Sequence, residues 1–183
     1  MKKLIVIRYS EIALKGKNRH WFEDTLVRNI HTQVSPLETI KIYKIHGRII
    51  IEPVGNIENI TSILNFIPGI ANYSIAYPTS HDLAEIRAIS KSMMQVYMDK
   101  TDQKTVRFKV ESRRAEKSFP MNSIQLSQQI GGDLLQEFEQ LSVDLHQPEI
   151  SLGIEIWQKD RCIVFLEKIN GQGGLPVGTA GTV

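Results

Sequence analysis

The chain opens on a short apolar run, Leu4-Ile5-Val6-Ile7, which predicts a strand over residues 3–9. The period then changes. Phe22, Leu26, Ile30 and Val34 recur every fourth residue, the stripe of an amphipathic helix over 19–34, with Asn18 placed to cap it. Residues 38–45 and 48–53 alternate as two strands, and His46-Gly47 between them supplies a tight hairpin turn. Asn56 opens a second helix that turns Ile57, Ile60, Ile63 and Leu64 inward; Pro68-Gly69 stops it, and residues 70–77 form a closing strand. Strand, helix, strand, strand, helix, strand is the order of a split βαβ, ferredoxin-like unit.

A second set of elements follows. Asp82 and Glu85 have the spacing of a capping box, and the helix behind them places Leu83, Ile86, Ile89, Met93 and Tyr97 on one face. Thr105–Val110 alternates, with Val106, Phe108 and Val110 inward. A helix over about 122–139 carries Ile130, Leu134 and Phe138; Gly131-Gly132 within it is unfavourable for a helix and predicts close packing against another backbone. Residues 150–156 and 161–166 read as two more strands. The tail from Gly171 has five glycines and a proline in thirteen residues and reads as a flexible connector. The class is α+β, with domains at 1–77 and 78–168 and a Gly-rich linker at 169–183.

Composition adds little until the charges are mapped. The 22 basic and 20 acidic residues leave a net charge of +2. Their clustering is more telling. Lys104, Arg107, Lys109, Arg113, Arg114 and Lys117 stand against Glu111 and Glu116, a local excess of four positive charges. Alternation sends Arg107 and Lys109 to the face opposite Phe108, while Arg113-Arg114 fall at the strand end, where guanidinium forks suit phosphate oxygens. A solvated strand face with surface salt bridges is the plainer reading. A second basic region holds Arg8, Lys15, Lys17 and Arg19 against Glu11, with Asn18 between them. A strand, a basic Gly-containing loop and a helix start form a natural phosphate seat; a simple turn with a helix cap is the alternative.

Several classes of chemistry lack residues. The single cysteine, Cys162, sits in the apolar strand Cys162-Ile-Val-Phe-Leu166 and allows no internal disulfide or Cys-rich metal site. The histidines His20, His31, His46, His81 and His146 lack ligand spacing. The Met93-Met94 pair reads as core filling. The glycine-rich tail is not a Walker loop, since no Lys-Ser/Thr follows it. The apolar run after Met1-Lys-Lys is too short for a signal peptide, and no run is long enough to span a membrane, which makes the cytoplasm the expected location.

The stretch Arg8-Tyr-Ser-Glu-Ile-Ala-Leu-Lys-Gly-Lys-Asn-Arg19 resembles the opening signature of the tRNA 4-thiouridine synthetases, also called thiamine-biosynthesis sulfurtransferases, with Ser10 where that family usually has Gly. Residues 108–120, Asn122-Ser123, Ile130-Gly131, Pro148-Glu149 and the Arg161 strand together resemble a THUMP domain. The resemblance implies tRNA as partner, bound at its acceptor stem and 3′ end. Lys109, Arg113, Arg114 and Lys117 become the leading contacts, with Lys104, Arg107 and the Arg8–Arg19 loop in support. The tail is similar to the family's linker into an ATP-pyrophosphatase domain that thiolates uridine 8 using ATP and Mg2+. The chain stops at Val183, before any ATP loop, so no catalytic residue or cofactor is assigned within it. A THUMP adaptor for another tRNA-modifying enzyme, a protein–protein module and a homodimer are left open.

Overall fold

A computed structural model of the protein describes residues 2–45 and 47–179. His46 of the expected hairpin turn, and the last four residues of the expected linker, lie outside the described residues. The fold divides into two compact units, one from residues 3–75 together with residues 168–179, the other from Lys2 with residues 76–167.

In the first unit, β1 (Leu4–Arg8), α1 (Arg19–Val34), β2 (Ile40–Ile45), β3 (Arg48–Pro53), α2 (Ile57–Leu64) and the start of β4 (Asn72–Thr79) follow the split βαβ order. The strands lie in the order β2-β3-β1-β4. Ile5 opposes Ile51 and Ile7 opposes Ile49, so alternate isoleucines of β1 and β3 share one face. That face meets the predicted stripe of α1, where Leu26, Ile30 and Val34 are wholly buried. Asn56 caps α2 by accepting the Glu58 N–H at 2.8 Å. Asn18 holds the cap position of α1, but its side chain makes no capping hydrogen bond, because a 3-10 turn leads straight into the helix.

In the second unit, the end of β4 is followed by α3 (Leu83–Met98), β5 (Val106–Arg114), α4 (Ser123–Glu137), β6 (Leu141–Val143), β7 (Ile150–Trp157) and β8 (Arg161–Leu166). The sheet order is β4-β8-β7-β5-β6, with β5 parallel to both β6 and β7. A parallel pair needs a crossover, which α4 supplies. Val106 and Phe108 of β5, with Leu152, Ile154 and Ile156 of β7, pack under Ile86, Met93 and Met94 of α3 and Leu126, Ile130 and Leu134 of α4. The expected capping box at Asp82 forms only in part. Asp82 accepts the Ala84 N–H, but Glu85 reaches past it to the N–H and hydroxyl of Ser80 and to Thr79. A complete box occurs at Asn122 and Gln125 instead.

The tail departs from its reading as a free connector. β9 (Ile169–Asn170) pairs antiparallel with Tyr73 and Asn72. Gly69 N–H donates to Gly173 O at 2.7 Å, Gly173 N–H donates to Ile70 O at 2.7 Å, and Asn29 Nδ2 donates to Val177 O at 3.1 Å. Leu175 packs on the first core. Glycine here lets backbone meet backbone: a Cβ on Gly171 would come within 2.4 Å of the Ile70 carbonyl oxygen.

Candidate nucleic-acid interface

The basic loop of the first unit consists of two 3-10 turns, Glu11–Leu14 and Gly16–Asn18, pinned by the buried Ile12. Gly16 takes a left-handed φ of +50°, which joins the turns and leaves Lys17 and Asn18 exposed. The Lys15 ammonium lies 5.3 Å from the centre of the Phe22 ring. Arg19 turns the other way: its Nε donates to Glu23 at 2.7 Å and its Nη2 to the Tyr9 hydroxyl at 2.9 Å, while Tyr9 donates to the same Glu23 carboxylate. Burial opposes the charge on Glu23, but the hydrogen bonds from Tyr9 and Arg19, helped by Lys44 at 3.8 Å, hold its carboxyl below the usual range. Burial first, then the Glu23 hydrogen bond, pushes the Tyr9 phenol up to about 12. Arg8 is buried, and its Nη1 donates to Ser74 Oγ at 2.9 Å. It is thereby withdrawn from the surface role that the sequence suggested.

The second cluster lies along β5. Arg107 and Lys109 do face away from Phe108, but Arg107 is held by Glu149 at 3.5 Å and Asp144 at 3.6 Å. Arg113 is exposed, with Glu111 at 3.5 Å. Arg114 does not fork outward. Its Nη1 donates to the carbonyls of Phe119 at 3.1 Å and Met121 at 3.2 Å, and it reaches that of Lys117 at 3.5 Å, so it ties down the loop into α4. Lys104 and Lys117 are exposed, Lys109 is half-buried, and among the described residues none of the three is in an ion pair.

Arg19, Arg107, Arg113 and Arg114 thus have protein partners, Lys15 lies over Phe22, and Lys17, Lys104, Lys109 and Lys117 are in no ion pair among the described residues.

Two hollows flanking Gly132 escaped the sequence reading. One is a polar cleft of about 490 Å3 lined by Gln125, Gln128, Gln129, Asp133 and Gln136. The other is a largely apolar groove of about 330 Å3 whose lining includes Val110, Leu135, Val143 and Leu145, together with Lys109 and Gln128. The signal for both was present in Gly131-Gly132. These glycines do not admit a backbone: a Cβ on Gly131 would touch only Val110 at 3.7 Å, and one on Gly132 would meet nothing within 4 Å. Exposed Trp21, edge-on to Phe22 at 4.9 Å beside the basic loop, was also missed.

Among the described residues no three His, Cys, Asp or Glu side chains gather as a metal site, and no helix is long and apolar enough to cross a membrane. Cys162 is buried, and burial raises its thiol pKa far above the ordinary value, which disfavours the reactive thiolate.

These features define an α+β protein that joins a split βαβ domain to a second domain built on a mixed sheet. Residues 4–74 match the ThiI ferredoxin-like domain and residues 80–167 match the THUMP domain. The chain thus carries these two domains in tandem. It is 38% identical over 183 residues to a probable tRNA sulfurtransferase of Alkaliphilus oremlandii, covering 99% of this chain and 46% of that protein, so it spans about half the length of the curated relatives it matches. Among solved structures it is similar to a 4-thiouridine synthetase in complex with RNA and ATP (33% identity, TM-score 0.82, 99% of this chain and 45% of that one). It is also similar to PH1313 from Pyrococcus horikoshii (32% identity, TM-score 0.88, 97% and 58%).

Proposed function

We propose that this chain is the tRNA-binding part of a tRNA sulfurtransferase, and that it docks the acceptor stem and 3′ end. A separate ATP-pyrophosphatase domain, using ATP and Mg2+, thiolates uridine 8. The observation that carries this reading is the 33% identity, across 99% of the chain, to a 4-thiouridine synthetase solved with RNA bound. The lysines at 17, 104, 109 and 117 support it, because ammonium groups outside ion pairs attract phosphates and release counterions on binding. Catalysis of sulfur transfer is assigned to no residue of this chain.

The test is binding of an acceptor minihelix at several salt concentrations. If all four lysines reach phosphates, the logarithm of affinity falls with the logarithm of salt with a slope of roughly −3 to −4. A minihelix with its 3′ CCA binds more tightly than one without it, and an anticodon stem-loop competes poorly. Affinity that is flat with salt, or equal for all three RNAs, overturns the reading.

A further inference from the structure

Glu23 is a buried carboxylate on which three parts of the first unit converge. Tyr9, just past β1, donates its hydroxyl to Glu23 Oε1. Arg19, at the start of α1, donates Nε to the same oxygen at 2.7 Å and Nη2 to the Tyr9 hydroxyl at 2.9 Å. Lys44 of β2 lies 3.8 Å from the other carboxylate oxygen and also donates to Asp24 at 2.5 Å. The exposed His20 has its Nδ1 at 3.7 Å from that second oxygen. The turn between β2 and β3 closes over the cluster: a Cβ on Gly47 would come within 2.7 Å of Arg19 Nη2 and 3.7 Å of the Tyr9 hydroxyl.

Tyr9 and Arg19 are also the two ends of the basic loop, so one carboxylate clamps both ends at once. Between them the loop is shaped by its own turns. Ala13 N–H donates to Ser10 O at 3.1 Å, Lys15 N–H to Ile12 O at 3.1 Å and Asn18 N–H to Lys15 O at 3.0 Å. The clamp presents Lys17 and Asn18 together on the surface. Lys17 is in no ion pair among the described residues, and the Asn18 side chain makes no capping hydrogen bond. Beside them Gly16 borders open space, since a Cβ there would meet nothing within 4 Å. An ammonium and an amide side by side with a clear approach suit a phosphate of an RNA backbone. Stability is a poor account of the cluster beneath them, because a buried ion pair replaced by apolar side chains of like volume often costs nothing. Holding a binding group in place from behind is a use that fits.

We infer that Glu23 is a positioning residue for RNA binding, which clamps Tyr9 and Arg19 from beneath so that Lys17 and Asn18 stand ready for a backbone phosphate. This rests on the RNA-binding reading and adds to it a residue that never touches the RNA.

The sign of one substitution separates positioning from charge. Glu23→Gln removes a negative charge and releases Arg19, which by electrostatics alone tightens RNA binding; loss of a clamp weakens it. The parent chain, Lys17→Ala, Glu23→Gln, Tyr9→Phe and the double variant Lys17→Ala with Glu23→Gln are titrated with an acceptor minihelix at about 0.1 M salt, below the melting transition of each protein. Lys17→Ala is expected to lose roughly three- to tenfold in affinity, the counterion-release share of one phosphate contact. Glu23→Gln and Tyr9→Phe are each expected to bind more weakly than the parent. In the Glu23→Gln background, Lys17→Ala is expected to cost less than about twofold more, because the two changes disable one contact.

A folded Glu23→Gln that binds as well as the parent, or better, overturns the inference. So does a full Lys17→Ala loss in the Glu23→Gln background. If Glu23→Gln loses its melting transition, Tyr9→Phe decides, since it removes only the bridging hydroxyl: parent affinity in that variant overturns the inference. Unfolding of both variants also overturns it, for the cluster is then part of the core and not a clamp on the loop. A parent chain that binds the minihelix but is indifferent to Lys17→Ala leaves the RNA reading standing and removes this one. A parent chain that does not bind the minihelix overturns both.

Discussion

Phe165 occupies the space that a side chain at Gly153 would need. The two residues are register partners across β7 and β8, and a Cβ on Gly153 would lie 2.2 Å from the Phe165 ring. Phe165 is itself almost wholly buried, so the ring cannot swing out to make room. Gly153→Ala is therefore expected to overpack the sheet and to destabilise the second unit by roughly 1–3 kcal/mol. Gly132→Ala, where the added methyl meets nothing, is expected to stabilise by up to about 1 kcal/mol through helix propensity alone. Urea denaturation of the two variants checks both signs. Equal shifts in the same direction would show that the space around these glycines is misjudged.

The Tyr9–Arg19–Glu23 cluster makes stability depend on pH at both ends of the scale. Glu23 has a folded-state pKa below its ordinary value of about 4.3. Its contribution is present above that value and is lost as pH falls through the lower, folded-state one. Glu23→Gln is then expected to cost about 1–2 kcal/mol at neutral pH, a hydrogen bond to a charged group discounted for the partial exposure of Arg19, and the gap to the parent closes in acid. Tyr9 runs the other way. The fold favours its neutral phenol, so its contribution is intact below about pH 10 and is lost as pH climbs toward about 12. Ultraviolet titration of Glu23→Gln should show the Tyr9 transition moving back toward the ordinary value. A transition that stays put would mean that Glu23 is not what raises it.

Arg114 and the free lysines should part company under mutation. Arg114→Ala removes the anchor from the carbonyls of Phe119 and Met121 and is expected to destabilise by about 1–2 kcal/mol. RNA affinity falls with it, because the loop is lost. Lys109→Ala with Lys117→Ala is expected to leave the melting temperature within a degree or two. It should lower RNA affinity and reduce the salt slope by about one for each phosphate contact removed. Calorimetry and salt-titrated binding separate the two cases. A lysine pair that destabilises the fold without changing the salt slope would refute the division.

Shortening the chain to residue 167 removes β9, the Gly69–Gly173 bonds and the Leu175 contact. Melting of the first unit should drop while that of the second is retained. Hydrogen exchange resolves the two, with the amides of Gly69 and the β4 strand losing protection first. Unaltered protection at Gly69 would mean that the tail adds nothing to the first unit.

Much of this was legible in advance, and the failures have physical causes. Helix α1 lies where the four-residue spacing of Phe22 to Val34 put it, because one stripe meeting one sheet face leaves little freedom of register. The strands β6 and β9 are too short for alternation to register. The partners of the arginines were not legible, because charge is visible in a sequence but its partners are not. Asp144 and Glu149, which claim Arg107, lie far along the chain from it, and the carbonyls that hold Arg114 have no sequence signature at all. The glycine-rich tail has the composition of a linker, but composition cannot distinguish glycine that confers freedom from glycine that lets backbones touch.

The return of the chain to the first unit at residue 168 sets an order of assembly during synthesis. When Ile75 leaves the ribosome, the first unit still lacks its last strand and the Gly173 bonds, and these arrive only after the 92 residues from 76 to 167 have been made. Until then the early half waits with the edge of β4 uncovered. The second domain is thus an insertion whose folding draws in the ends of a long loop, and with them the segment that closes the first. A fault in the later-made domain would accordingly be felt first as an unfinished edge in the earlier one.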